Sequence, residues 1–561
     1  MRRLRLAALV AVALLLTGCS EIPMSGPVQN GSTEGPNNTT IVYLPNPPAP
    51  GAKPRDIVTG FVTAASAGGD FRVAKEYLAS SFVTKWKPSS SVLVQESQST
   101  MKVISSTDIT VNVPFTAEVS RSGVYSPTPG SRRLDFHLTQ QSGQWRIDSA
   151  PDGIVLGETV FQRIFRPQAV EFFDPTWRRL VPDFRWFPVS PKVASGDPKP
   201  ADVVDALLAG PTGPLAGGVV ATALRGATRE GIETSSNGVT TVTLSVPGSG
   251  PSAQVTGRMQ QQLIQSLQLP TASALRLVVN GRVAAPVKLI SNQPGSLNAY
   301  VVTKGKFGTL ASNGGFTEEP TLGKQIVATR PSAVTVSVPQ KLAVVRTGSG
   351  EIAIVTATGR RVIDSRAGVI APTLDQRGWA YSVPADQPGA LQASDGSGPS
   401  IDLDADLGGT KVDAIEASPD GTRMLVLVDT AKGPEAFVAG IQRDSDGTPT
   451  GLTTAHYLVD LGGRSGSGVG ATWVDDGSVA TLIGSSDASS ERVRAQQLGG
   501  VALPLGQLTN ATSIVGTSNL TDLRARISTG DLWTWTSSLT SNLWQSEGAE
   551  PVNVSVLAVQ R

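Results

Sequence analysis

In 561 residues the chain has one cysteine and two histidines, and these scarcities exclude a good deal. A single cysteine permits no disulfide within the chain, so packing alone must hold the fold. A zinc site needs clustered His, Cys, Asp or Glu, whereas His137 and His456 stand far apart, so no metal site is expected. There is no Gly-x-Ser-x-Gly elbow and no glycine-rich loop ending in Lys-Ser or Lys-Thr, so neither an activated serine nor a phosphate cradle is expected. No catalytic residue and no cofactor is therefore assigned. Neither sign of charge is in excess: 47 Lys and Arg face 46 Asp and Glu, which leaves no electrostatic footprint for nucleic acid. The apolar run Leu6 to Leu16 is shorter than the roughly 20 residues that cross a bilayer.

That run nevertheless has a meaning. It follows Met1-Arg2-Arg3-Leu4-Arg5 and closes on Leu16-Thr17-Gly18-Cys19, and a basic start, a short apolar run and small residues before the break describe a secretory signal. The residue after the small pair is the chain's sole cysteine, so the stretch reads as a bacterial lipobox. Cleavage is expected between Gly18 and Cys19, leaving Cys19 to carry an S-diacylglycerol and an N-palmitoyl chain. At roughly 0.8 kcal/mol per buried methylene, two or more acyl chains hold a protein durably where one does not. The remainder is then expected at the outer face of the cell membrane.

The rest divides into a tether and three domains. Residues 19–52 are rich in Pro, Gly, Asn and Ser and read as a flexible tether, although Ile41 to Leu44 is apolar enough to dock as a strand. Residues 53–170 begin with helical spacing (Val58, Phe61, Val62, Ala65), and Gly68-Gly69-Asp70 separates this helix from a second one bearing Val73, Tyr77 and Leu78. The period then drops to two, as in Ile109, Val111 and Val113 and in Leu134, Phe136 and Leu138. Two helices followed by a curved antiparallel sheet predict a cone-like α+β domain. Its strand Gly143-Gln144-Trp145-Arg146-Ile147-Asp148 resembles the last strand of NTF2-like domains, with Trp145 in the core. Residues 171–285 predict a second α+β domain, with a helix over Pro200 to Ala209 stopped by Gly210-Pro211, a strand over Val239 to Val246, a helix over Ala253 to Leu267 and a strand over Leu275 to Val279. The run Leu207-Leu208-Ala209-Gly210-Pro211-Thr212, followed by strand, helix and a Val-Val-Asn-Gly strand, resembles the GerMN domain.

Residues 286–561 show a loose repeat instead of long helices. Thr373-Leu374-Asp375-Gln376-Arg377-Gly378, Ser418-Pro419-Asp420-Gly421 and Trp473-Val474-Asp475-Asp476-Gly477 each lead into a β-rich strand. An aspartate capping a turn whose glycine takes positive φ is the expected chemistry. At about 40 to 50 residues per four-stranded blade, the length predicts a β-propeller of five or six blades, with Trp533, Trp535 and Trp544 in the last and His456 in an inserted loop. His137 is expected to face solvent or the cone's cavity. Asp402-Asp404-Asp406 and Asp475-Asp476 invite comparison with glycosidase carboxylates, but turn acids and solvated strand edges account for them.

Taken together, the lipobox, a tether containing Ile22-Pro23-x-Ser25-Gly26-Pro27-Val28, the NTF2-like and GerMN-like domains and a C-terminal propeller resemble the actinobacterial LpqB family of lipoproteins. The resemblance implies an accessory role in the cell envelope, through association with the extracytoplasmic domain of the sensor histidine kinase MtrB of a two-component system, affecting envelope homeostasis and division. Composition and spacing by themselves point only to an anchored, multi-domain, non-catalytic binder. A cell-wall glycan-binding protein and a propeller-type glycan hydrolase are the alternatives; exposed Trp379, Trp473, Trp533 and Trp535 at the propeller mouth would favour the former.

Overall fold

The computed structural model describes residues 45–67, 70–189, 197–286, 298–311, 315–337, 341–485, 490–537, 542–547 and 553–561. Leu6 to Leu16, the Gly18–Cys19 bond, the Ile41–Leu44 segment and Gly68-Gly69 lie outside them.

The first layer opens with α1 (Pro54–Ala65), where proline occupies the first turn at no cost in hydrogen bonds and Ile57, Val58, Phe61, Ala64 and Ala65 form the buried stripe. The second helix, α2 (Arg72–Glu76), is a single turn and stops before Tyr77 and Leu78. Those two residues were expected within the helix; instead, the Tyr77 carbonyl accepts from Ile147 N and Leu78 bridges Ile147 in parallel, so sheet pairing displaces the helix. The sheet comprises β1 (Ser91–Gln95), β2 (Thr100–Val103), β3 (Asp108–Ser120), β4 (Tyr125–Ser126), β5 (Gly130–Gln141), β6 (Gln144–Ser149) and β7 (Ile154–Gly157), in the order β6-β5-β3-β1-β7, with β2 and β4 also on β3. Along β3 every second residue from Ile109 to Val119 is buried, which fixes the register against the helices. Phe61 meets Trp86 edge-to-face at 4.9 Å, a pair worth about 0.5–1.5 kcal/mol beyond its buried area.

After α3 (Glu158–Ile164) the chain forms a hairpin, β8 (Phe165–Phe173) and β9 (Leu180–Pro188), paired without interruption from Phe165↔Pro188 to Phe173↔Leu180. Residues 170 and 171 both lie in β8, and the apolar residues of the hairpin serve two cores: Trp186 and Phe165 the first, Val170, Phe172, Val181 and Phe187 the second.

The second domain is α4 (Pro200–Ala209), β10 (Thr228–Thr234), β11 (Thr240–Ser245), α5 (Ala253–Ser266), β12 (Leu275–Val279) and β13 (Arg282–Val283), with sheet order β10-β11-β12-β13. Helix α5 starts where Ser252 Oγ accepts from Val255 N at 3.3 Å. The parallel β11–β12 pair is bridged by α5, as a parallel connection demands.

The remaining strands form six four-stranded blades among the described residues. Blade II is Ala333–Ser337, Leu342–Arg346, Ile352–Thr356 and Gly359–Asp364; blade III runs from Thr373–Leu374 to Ile401–Asp402. Blade IV is Lys411–Ala417, Arg423–Thr430, Gly433–Arg443 and Pro449–Val459; blade V runs from Ser467–Trp473 to Ala502–Thr509, and blade VI from Ala511–Val515 to Asn542–Ser546. Blade I is shared between distant parts of the chain: Ala299–Thr303, Lys306–Leu310 and Phe316–Glu318 pair with Val554–Gln560. The innermost strands touch in a closed ring, and Val554–Gln560 joins Ala333–Ser337 in parallel at the seam. Closure leaves no inner edge to aggregate. At the centre the Arg561 guanidinium is buried against the Glu416 carboxylate and the Trp473 carbonyl.

Two expectations change here. His456 lies in a strand, Pro449–Val459, opposite Ala439 and against the Phe437 ring at 5.0 Å, and not in an inserted loop; the extra residues of this repeat lengthen the outer strands of blade IV. The three turn aspartates do cap: Asp375, Asp420 and Asp475 accept from the backbone of Arg377, Thr422 and Gly477 at 2.8 Å each. Gly378 and Gly421 take positive φ, but Gly477 does not. Gly477 is required by close packing instead, since a Cβ there would overlap the Phe184 ring.

Candidate functional site

The β8–β9 hairpin is where the three domains meet, and its sequence explains why. In Asp183-Phe184-Arg185-Trp186 both faces of a strand are large or charged, so both must find partners. Trp186 N donates to the Gly123 carbonyl of the first domain at 2.8 Å, while its indole Nε1 donates to the Gly499 carbonyl of blade V at 2.7 Å. Phe184 lies against Gly477 and Gly499 of the same blade.

On the opposite face Asp183 and Arg185 are fully buried and paired at 2.8 Å. Arg185 also donates to the carbonyls of Ala206 at 3.0 Å and Gly210 at 2.6 Å, closing the C-terminal end of α4, where a cation is favoured. Asp183 accepts from Thr212 N at 2.9 Å and from the Tyr457 hydroxyl of blade IV at 3.0 Å. Burial, with Asp183 beside it, drives the Tyr457 phenol well above its ordinary value, so it stays a neutral donor. The Leu207-to-Thr212 run thus ends in the polar atoms that this ion pair needs.

A second buried cation, Arg423 of blade IV, spans the same junction. It pairs with Asp420, donates to the Asp476 carbonyl of blade V at 2.5 Å, reaches the Pro182 carbonyl of β9 at 3.4 Å and lies over the Trp473 ring at 5.1 Å. Burial works to raise Asp420, but Arg423 and the hydroxyls of Thr422 and Ser418 outweigh it and hold the carboxyl below its usual range. Glu171 and Asp476 go the other way: burial first, and neighbouring carboxylates after it, push each up to about 7.

Beside this junction a cleft of ≈ 220 Å³ is lined by Thr176 and Gly218 of the second domain and by Arg377, Arg443, Asp444 and Asp446 of the propeller. Its charges are engaged: Arg443 pairs with Asp375 and donates to the Tyr381 hydroxyl at 3.1 Å, and Arg377 stands 4.0 Å from Asp174.

The other candidates fall apart in space. His137 faces solvent on β5, its Nδ1 2.6 Å from Asp148, and His456 sits in a different domain. Asp402 accepts from Gln392 at 2.7 Å and Asp406 from Gly408 N at 2.9 Å, as turn and edge acids do. Trp473 and Trp535 are buried, while Trp379 and Trp533 are half-buried against blade cores. Trp145 packs half-buried on the first core. No group of three or more His, Cys, Asp or Glu among the described residues is placed to hold a metal ion. No helix among them is long and apolar enough to cross a membrane. Sequence reasoning passed over Asp183, Arg185, Arg423 and Tyr457, although charges at alternate positions of an otherwise apolar strand were a usable signal in Asp183-Phe184-Arg185-Trp186.

Fold and junction together define a multi-domain β-propeller protein in which buried ions fasten the β8–β9 hairpin and the second α+β domain to the propeller, while Trp186 ties in the first. Residues 47–162 match the lipoprotein LpqB N-terminal domain, residues 170–285 the sporulation and spore germination domain called Germane, and residues 308–552 the lipoprotein LpqB beta-propeller domain. The chain belongs to the LpqB family of lipoproteins. Among relatives, it is 32% identical to a Lipoprotein LpqB of Cutibacterium acnes over 56% of each chain. It is 31% identical to that of Thermobifida fusca over 49% of this chain and 47% of the other. The matched segments therefore span about half the length of these relatives. Among solved structures, TolB from Acinetobacter baumannii aligns at a TM-score of 0.34 and 14% identity, over 57% of this chain and 75% of that one, too distant a likeness to inform function.

Proposed function

We propose that the protein is a lipid-anchored, extracytoplasmic accessory partner of a two-component sensor histidine kinase of the MtrB type, acting on envelope homeostasis and division by contact and not by catalysis. Acylated Cys19 holds it to the membrane, and the body it carries shifts the kinase's conformational population by binding one state better than another. The observation that supports this reading is the junction itself: Asp183, Arg185, Arg423 and Tyr457, the strongest concentration of buried polar chemistry described, are spent on holding domains together. A stiff body loses less conformational entropy when it docks. The burial of Trp473 and Trp535 weighs against a glycan stacked on those rings.

The test is crosslinking with mass spectrometry on intact cells, comparing the native chain, Cys19→Ala and Cys19→Ala carrying an unrelated membrane anchor. Recovery of a kinase's outer domain with the first and third, but not the second, supports tethered regulation. Recovery of glycan fragments alone overturns it in favour of a wall-binding protein or hydrolase.

A further inference from the structure

The Arg423 clamp holds an imbalance of charge. Glu171 lies directly opposite Pro182 in the β8–β9 ladder, and Arg423 reaches the Pro182 carbonyl with one arm and the Asp476 carbonyl with the other. Glu171 and Asp476 are thereby brought to one guanidinium from opposite sides of the interface between the hairpin and the propeller. That guanidinium is already committed to the Asp420 carboxylate. Glu171 Oε2 and Asp476 Oδ1 are both shut off from solvent with no hydrogen-bond partner, and so is Arg423 Nε.

The charged surroundings offer little relief. From the propeller, Asp420, Asp475 and Arg423 act on the pair; from the second domain, Arg179 acts on Asp476 and has its own Nη1 3.4 Å from the Pro419 carbonyl. Helix α5, packed on β8, presents Gln262 and Ser266 to the Glu171 backbone, and its Arg258 is stacked on Trp177 at 4.2 Å. Three carboxylates thus share Arg423, and Asp476 also feels Arg179. Each of Glu171 and Asp476 is half-buried with one carboxylate oxygen shut off from solvent and no donor to it, which makes the anion costly.

We infer that Glu171 and Asp476 form a proton-binding pair across the domain interface, so that protonation fastens the propeller to the β8–β9 hairpin and ionisation loosens it. The sign follows from linkage. Each acid is raised in the closed junction to about 7 and returns to the ordinary carboxylate range when the junction opens, so the closed form binds more protons. The clamp is therefore strongest in acid, weakens as pH climbs from the ordinary carboxylate values through about 7, and changes little above that. Asp420, lowered by Arg423, keeps its charge throughout this window. The inference does not depend on the kinase reading: an envelope protein meets external pH directly, and this junction would report it as stiffness between domains.

The experiment is hydrogen exchange followed by mass spectrometry on the full chain in detergent at pH 5.5 and 7.5, with rates normalised to an unstructured reference peptide. Peptides covering residues 165–188, 418–423 and 474–478 are expected to be more than about tenfold better protected at the lower pH. Glu171→Gln and Asp476→Asn, near-isosteric and neutral at both values, should each flatten that difference while keeping strong protection at pH 7.5. Equal normalised protection of the native chain at the two pH values overturns the inference. So does a full pH difference retained in both variants.

Discussion

Tyr457 in the outermost strand of blade IV donates its hydroxyl to Asp183 Oδ1 of the β8–β9 hairpin at 3.0 Å, joining residues 274 apart in the chain. The bond is fully buried and ends on an aspartate already paired with Arg185, so three elements depend on it: the hairpin, the end of α4 and the propeller.

Removing the phenol oxygen by Tyr457→Phe should cost about 1.5–3 kcal/mol, the range for a hydrogen bond to a charged group. Asp183→Ala strands Arg185 in the interior and should cost about 3–5 kcal/mol. Calorimetry on the two variants checks the order, with the melting transition of Asp183→Ala well below that of Tyr457→Phe.

Gly440 and Gly477 test whether the domains are truly seated on the propeller. A Cβ at Gly440 would overlap the Pro214 carbonyl of the second domain, whereas one at Gly477 would overlap the Phe184 ring. Backbone cannot yield as a side chain can, so both alanine variants should lose about 1–3 kcal/mol, but only Gly477→Ala should be recovered, by adding Phe184→Leu. Thermal melts of the four chains decide this.

The ring closure predicts a coupled pair. Arg561→Met leaves the Glu416 carboxylate buried without its cation and should destabilise the propeller by about 3–5 kcal/mol. Adding Glu416→Gln removes the stranded charge and should restore most of the loss, as read by a double-mutant cycle of denaturation midpoints.

His137 offers a titration with few confusions, because the chain has only two imidazoles. Its hydrogen bond to Asp148 raises it above the ordinary imidazole value. A raised base contributes its small stabilisation fully below the unfolded value and loses it as pH rises through the folded one. The C2 proton resonance of His137 should titrate above the usual midpoint in a His456→Gln background, and Asp148→Asn should bring it down.

Much of the fold was legible because periodicity is local. Helix α4 was expected over Pro200 to Ala209 and occupies those residues, since its apolar spacing and its Gly210-Pro211 stop are decided within a dozen residues. The turn aspartates were legible for the same reason. The strand Pro449–Val459 was not: Thr453, Thr454, Ala455 and His456 read as a polar loop, and only pairing with Gly433–Arg443 and contact with the second domain make them a strand. Helix α2 was overestimated because Tyr77 and Leu78 suit a helix by spacing, yet satisfy the backbone of Ile147 instead. Gly477 was assigned to turn geometry because its neighbour in space, Phe184, lies almost three hundred residues away.

The sequence by itself determined the order of the domains and the alternation of their cores, both of which rest on neighbours along the chain. Tertiary structure alone decided which charges are buried and what they hold. Asp183, Arg185, Asp420, Arg423 and Arg561 are ordinary polar letters until folding removes water from them, and a charge tolerates that only where distant segments bring it a partner.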